Sequence, residues 1–504
     1  MTYPIFLPLR SWAQVALMAG SATLILVAFP SSALDLVTTK AGEEQWEGSI
    51  WGFCTSEDGN LVAFGSDVDL LPEDTNGLRD VYLKDRTTRE LFLISKTSSA
   101  IGGNGNSDTP GMSADGNLIV FTSQASNLVP GDMNGSSDVF LYNRTLDTTT
   151  RISVDASGIE VDGQSFGADI SADGSRVIFT CNAPLVGTDM NERFDIFQRM
   201  VSNPATLRLV TATPTGEAGA GYSYVASISK NGRYVTYWYQ GADDLAATDT
   251  NGATADVFRY DGVTQTNFHV SRNTAGTGSG NGSATHASIS ADGSRVAYRC
   301  TSTDVIAEDT DALTDIYVYD FTMDSTFLAS VNTAGDKSDG ESSSGPKALS
   351  ADGGKIAFSS AATNLGGQPT IEQNVYLRDF VPGETTSLTD TADGDGPNSL
   401  INTADISSDG TAVVFSASAT NLVHDDEGGE DADIFASPGT DLTVDPSIAI
   451  KAAQAAQAAK KAKLRKKMKK LQKKLRTARG GGKVARIKSL KRQIRKKKKA
   501  IRQV

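Results

Sequence analysis

Three cysteines are spread over 504 residues, and that scarcity excludes a disulfide-stapled scaffold. Cys54, Cys181 and Cys300 fall in non-adjacent parts of the chain and read as small buried apolar residues. Histidine is equally rare. His269, His286 and His424 form no metal-spaced pair; His286 reads as a residue of a connecting loop and His424 of an acidic loop, both exposed to solvent. No Gly-x-Ser-x-Gly elbow occurs, which leaves no sign of a serine hydrolase domain. Glycine, at 48 residues, has no three-residue period, so collagen is excluded. After residue 30 no run is apolar enough to cross a bilayer. The apolar fraction of 39% is low, yet it is sufficient for a core and excludes global disorder.

Acidic and basic residues are not mixed evenly. From Lys451 to Val504 there are 24 Lys and Arg and no Asp or Glu, leaving 23 basic against 60 acidic residues before them, a charge of −37. The body and the tail therefore need separate explanations. The N-terminus has the layout of an export signal: Arg10, the apolar stretch Val15 to Phe29, then Pro30-Ser31-Ser32-Ala33, suited to cleavage after Ala33. An uncleaved anchor is the alternative. Residues 1–33 are thus read as signal, 34–445 as the body and 446–504 as the tail.

The body repeats itself. Ser-x-Asp-Gly, or its Asn variant, recurs at Ser56–Gly59, Ser113–Gly116, Ser171–Gly174, Ser229–Gly232, Ser290–Gly293, Ser350–Gly353 and Ser407–Gly410, in steps of 57 to 61 residues. Within one unit, Ala168–Ser171 is a short strand and Asp173-Gly174 a hairpin turn, because glycine accepts a positive φ. Arg176–Thr180 pairs back, Asp195–Arg199 is a third strand and Arg208–Thr211 a fourth. One four-stranded blade cannot bury both of its faces, so blades must stack around an axis. The expected fold is an all-β, seven-bladed β-propeller of four-stranded antiparallel blades, followed by a basic α-helical, coiled-coil-like tail. Either Leu34–Thr39 or Asp441–Val444 is expected to supply the fourth strand of the last blade.

Ser-x-Asp-Gly-x-x-Val-x-Phe followed by a strand such as Asp138-Val-Phe-Leu-Tyr142 resembles the TolB-type, WD-like propeller repeat, over roughly Glu43 to Val444. The resemblance implies the fold. It says little of function, because such propellers serve as binding scaffolds, envelope proteins and enzyme domains alike.

Strand direction alternates within a blade, so the loops between second and third strands share one face with the blade-to-blade crossovers. A recurrent acidic loop lies there. Its members are Asp74, Asn76 and Asp80; Asp132, Asn134 and Asp138; Asp189, Asn191 and Asp195; Asp249, Asn251 and Asp256; and Asp309, Asp311 and Asp315. Unit six lacks it, and unit seven has an acidic variant at Asp425–Asp433. Oxygen donors around a turn suit Ca²⁺, although three side chains fall short of the six to eight oxygens it takes. The competing reading is turn chemistry, with Asp and Asn bonding nearby backbone N–H groups.

Tyr222, Tyr224, Trp238 and Tyr239 have the chemistry to stack on sugar but read better as packing residues. In the tail, Ala452–Arg479 and Lys483–Gln503 are helix formers separated by Gly480–Gly482, each with one thin apolar stripe. These features make the expected function that of an exported, non-enzymatic binding scaffold. A protein or glycan would dock on the loop-rich face, with Ca²⁺ as its ion. The tail would hold an anionic envelope polymer or lipid in preference to nucleic acid. The rival is a carbohydrate-active enzyme, lyase or hydrolase, with its site at the propeller mouth and a carboxylate pair that composition alone does not single out.

Overall fold

The computed structural model describes residues 35–37 and 49–437, apart from 242, 368–372, 391–395, 400, 409 and 423–432. Residues 1–33, read above as a signal, most of unit seven's acidic loop, His424 and the whole basic tail lie outside them. The chain divides into two units, residues 1–440 and 441–504.

Among the described residues the strands form seven four-stranded antiparallel sheets. Blade 1 is Ile50–Thr55, Leu61–Ser66, Asp80–Asp85 and Leu91–Leu93. Blade 2 is Ser107–Met112, Leu118–Ser123, Asp138–Asn143 and Thr148–Arg151. Blade 3 is Ser165–Ile170, Arg176–Cys181, Asp195–Met200 and Leu207–Leu209. Blade 4 is Tyr222–Ile228, Tyr234–Gln240, Asp256–Asp261 and Thr266–His269. Blade 5 is Ala284–Ile289, Arg295–Cys300, Asp315–Asp320 and Ser325–Leu328. Blade 6 is Ser342–Ser343, Lys355–Ser360, Asn374–Asp379 and Glu384–Ser387. Blade 7 joins Ile401–Ile406, Val413–Ala417 and Asp433–Ala436 to Asp35–Leu36, which supplies its outer strand. Of the two segments competing for that place, the N-terminal one occupies it; Asp441–Val444 lies outside the described residues.

Each blade carries the same core device. Alternation in the second and third strands puts one aromatic on each, directly opposite in register, and the pairs stack: Phe64–Tyr82, Phe121–Phe140, Phe179–Phe197, Tyr237–Phe258, Tyr298–Tyr317, Phe358–Tyr376 and Phe415–Phe435, with centroids 5.6–6.1 Å apart. Each such pair contributes about 0.5–1.5 kcal/mol beyond its area burial. Seven apolar clusters lie between adjacent blades, one per junction. The cluster that closes the ring brings Val62 and Phe64 of blade 1 against Val414 and Ile434 of blade 7, with Val37 sealed between them.

The Ser-x-Asp-Gly turns join the first and second strands of each blade on the face opposite the crossovers. Ser56 Oγ donates to Asp58 Oδ1 (2.6 Å), and the same Oγ accepts from Leu61 N (3.0 Å). Next to these turns a backbone chain runs round the axis. Glu57 N donates to Ala114 O, Ala114 N to Ala172 O, Asp173 N to Lys230 O, Lys230 N to Ala291 O, Ala291 N to Ala351 O, and Ala351 N to Ser408 O, all at 2.8–3.0 Å.

The first strands are longer than the sequence suggests, because most are bulged. In blade 3 the register shifts between Phe166 and Asp169, so pairing extends back to Ser165. The bulge residue has positive φ: Gly52 (68°), Thr109 (49°), Gly167 (60°) and His286 (51°). His286 is therefore a strand residue of blade 5 and not part of a crossover loop. Burial, reinforced by Arg299, pulls its imidazole down to about 4.

Candidate functional site

The acidic loops come out as five equivalent pockets on the crossover face. In each, the first Asp and the last Asp are buried, the latter opening the third strand. The residue at position three ties the loop to the next crossover. Asn76 Nδ2 donates to Asp80 Oδ2 (2.7 Å) and Gly103 O (2.8 Å), while its Oδ1 accepts from Leu78 N (2.6 Å). Asn134 repeats all three bonds, to Asp138 Oδ2 (3.3 Å), Val161 O (3.0 Å) and Ser136 N, whereas Asn191 bonds Gly219 O (2.6 Å) and caps Arg193 N. Asn251 Nδ2 reaches Gly280 O (3.2 Å). The Asn side chains thus act as loop ties, and at Asn76, Asn134 and Asn191 the amide oxygen already has a backbone partner. The last Asp is held by a hydroxyl from the outer end of its blade. Ser95 donates to Asp80 Oδ1, Ser153 to Asp138 (2.5 Å), Thr211 to Asp195 (2.5 Å), Ser271 to Asp256 (2.6 Å) and Ser330 to Asp315 (2.7 Å).

What differs between pockets is the group that offsets the paired carboxylates. In blade 2, Arg151 Nη1 lies 3.3 Å from Asp132, 3.4 Å from Asp138 and 2.5 Å from Glu160. In blade 5, Lys337 Nζ lies 2.7 Å from Asp315, 3.0 Å from Asp311 and 3.6 Å from Asp309, and Tyr317 Oη donates to Asp309. These two pockets bring oxygens of three acidic residues within 4.8 Å of one another, as a metal site would, yet each already contains a cationic side chain. In blade 4, His269 sits with Nδ1 3.0 Å from Thr248 O and Nε2 3.1 Å from Asp256, and Ser279 Oγ donates to Asp249 (3.2 Å). Blade 1 has only Tyr82, whose Oη donates to Asp74. Blade 3 has none of these groups.

Burial pushes these carboxylates upward: Asp80 and Asp195 to about 7, Asp249 to about 8, and Asp132 to about 6, where Asp138 adds to burial and Arg151 opposes it. Asp74, Asp138, Asp189 and Asp315 shift the same way for the same first cause. Burial also depresses Lys337, but Asp315 and Asp311 outweigh it and hold the ammonium above its ordinary value. The turn-face Asp58, Asp115, Asp173 and Asp292 go the other way. Burial raises them, but Ser hydroxyl and backbone N–H bonds win and hold them below the ordinary range.

A second charged group lies on the axis. Lys347 Nζ is 2.9 Å from Asp169 Oδ1, and the buried Asp405 lies alongside, pushed up to about 7 by burial against the pull of Lys347. The channel there has a volume of about 90 Å³, lined by first-strand and turn residues of all seven blades. At its turn-face end Lys230 Nζ of blade 4 bonds Glu57 of blade 1 at 2.9 Å. A wider cleft of about 710 Å³ opens between blades 1 and 2, beside Phe92, Lys96 and Tyr142.

The five acidic loops occupy equivalent places in blades 1 to 5, but Arg151, Lys337, Glu160, His269 and the hydroxyls that meet them were not legible as their partners. A basic residue at the end of a fourth strand or in the crossover was the available signal. Cys54, Cys181 and Cys300 are buried and free. Tyr239 is core, Tyr224 stacks on Trp238 at 4.1 Å, and Tyr222 is exposed beneath Arg193.

No family model matches the sequence, and no curated protein matches it significantly. Among solved structures, a protein assigned as TolB from Agrobacterium tumefaciens is similar at 14% identity and TM-score 0.36, covering 71% of this chain and 97% of that one. A prolyl endopeptidase is similar at 13% and 0.43, covering 76% of this chain and 48% of that one. U3-55K is similar at 8% and 0.42, covering 80% and 98%. At those values the likenesses carry no argument about activity. The chain's own strands and register define its class, a seven-bladed β-propeller.

Proposed function

We propose that the chain is an exported binding scaffold without catalytic activity. Its crossover face presents acidic pockets to a protein or glycan, and its tail, residues 451–504, tethers it to an anionic envelope polymer or lipid. The supporting observation is distribution: the buried carboxylate pairs recur one per blade over blades 1 to 5 and do not converge on one point. Calcium is the ion proposed for this face, because its donors are hard oxygens. The tether reading rests on the 24 cationic residues of the tail, each worth about 1 kcal/mol near an anionic surface at low salt.

The test is sedimentation with envelope fractions and with anionic vesicles. Retention of the full chain, lost on deleting 451–504 and at high salt, is the expected result; unchanged retention of the truncated chain overturns the tether. The axial trio of Asp169, Lys347 and Asp405 favours a second reading, an enzyme with carboxylates near the mouth. Polysaccharide cleavage that disappears in Asp169→Asn and Asp405→Asn would replace the scaffold reading with that one.

A further inference from the structure

The five pockets share one backbone but solve the same electrostatic problem with different side chains. Two buried carboxylates side by side require a compensating positive charge or donor, since an uncompensated buried charge is costly. Three positions supply it. The first is the fourth-strand residue opposite the third-strand aromatic: Arg151 pairs with Phe140, His269 with Phe258, but Leu209 with Phe197. The second is the crossover residue bridged to a residue just beyond the fourth strand: Ser279 to Arg272 and Lys337 to Val331, but Ala218 to Ala212; in blade 2 this place holds Glu160, bridged to Val154, which adds a third carboxylate for Arg151 to offset. The third is the aromatic itself: Tyr82 and Tyr317 carry a hydroxyl that Phe197 lacks.

Blade 3 has the inert choice at all three positions. The consequence is visible in its carboxylates. Asp189 is 2% exposed and neither of its oxygens has a hydrogen-bond partner; Asp195 is fully buried and its Oδ2 has none. Three buried acidic oxygens are thus orphaned in the one pocket whose equivalents in blades 2 and 5 hold a guanidinium and an ammonium.

We propose that the blade 3 pocket is a divalent cation site, with Asp189 and Asp195 as its carboxylate ligands and calcium as its ion. Two carboxylates balance a 2+ charge, and backbone carbonyls and water complete the oxygen shell that calcium takes. The proposal deepens the reading of the crossover face as cation-binding and rests on it. It also narrows that reading: the pockets of blades 2 and 5 are closed to metal because Arg151 and Lys337 occupy them.

The experiment uses the full chain, stripped with chelator and titrated with calcium chloride by calorimetry, alongside melting curves. The expected result is one dominant site per chain and a rise in Tm of several degrees. Both are lost in Asp189→Asn/Asp195→Asn and kept in Asp132→Asn. A second variant, Ala218→Lys, places an ammonium where blade 5 has Lys337. It should raise the Tm of the calcium-free chain and abolish the calcium response. Full-stoichiometry binding that persists in Asp189→Asn/Asp195→Asn overturns the blade 3 assignment while leaving the face cation-binding. A parent chain that binds no calcium at millimolar concentration overturns both.

Discussion

Aspartate serves two opposite purposes in this chain, and the difference lies in what surrounds it. At the turn face, Asp173 accepts from Ser171 Oγ (2.7 Å) and Ser175 N (2.9 Å), and its charge is welcome. At the crossover face no hydroxyl reaches Asp189, and burial, outweighing the nearby Asn191 N–H, opposes its charge. Arg151 tests the principle directly. Arg151→Met removes the one cationic side chain that, among the described residues, pairs with Asp132, Asp138 and Glu160, which should cost about 3 kcal/mol in chemical denaturation. Calcium should then recover part of that loss, turning an arginine pocket into a metal-responsive one. No calcium-dependent recovery would mean that the pockets are not interchangeable. The axial Asp405 predicts a pH effect. Its folded pKa, about 7, is raised above the ordinary 3.8, so its contribution is complete below about pH 4 and lost as pH rises through 7. Asp405→Asn should therefore flatten the fall in Tm between pH 4 and pH 7, and an unchanged slope would contradict the assignment.

The blade is built from a turn, an aromatic pair and a loop, and each was legible in the sequence to a different degree. The second and third strands were plain, because alternation of Val-x-Phe and Asp-Val-Phe puts β-branched and aromatic residues on the buried faces. The Asp-Gly turns were plain too: Gly293 has φ 75°, and a Cβ there would lie 2.1 Å from the Tyr234 ring. Gly293→Ala should cost at least about 1–2 kcal/mol from the left-handed backbone alone, before any movement of Tyr234. A melting curve matching the parent would contradict that turn. First strands were underestimated because a bulge breaks the two-residue period, and so His286 was misplaced in a loop. The pocket partners were hidden for another reason. Ser95, Arg151 and Lys337 lie 9 to 28 residues from the carboxylates they meet, on a neighbouring strand or crossover, and only the register brings them together.

At the scale of the molecule, stability depends on the ring being closed, and closure rests on a short segment. Asp35–Leu36 pairs with Phe435 and Ala436, and Val37 is 1% exposed with its N–H bonded to Ile434 O at 2.8 Å. Deleting residues 35–37 should remove about 1.5–3 kcal/mol through Val37 alone and expose a strand edge on blade 7. The expected readout is a lower Tm with faster exchange of amides in blades 1 and 7; uniform exchange across all blades would show that closure lies elsewhere. Closure also fixes which loops share a face, and the pockets acquire their common setting from it. The most direct measurement is a crystal structure of the full chain soaked in terbium as a calcium surrogate. The account predicts an anomalous peak between Asp189 and Asp195, with none beside Arg151 or Lys337. Peaks in the pockets of blades 2 and 5, or none in blade 3, would contradict it.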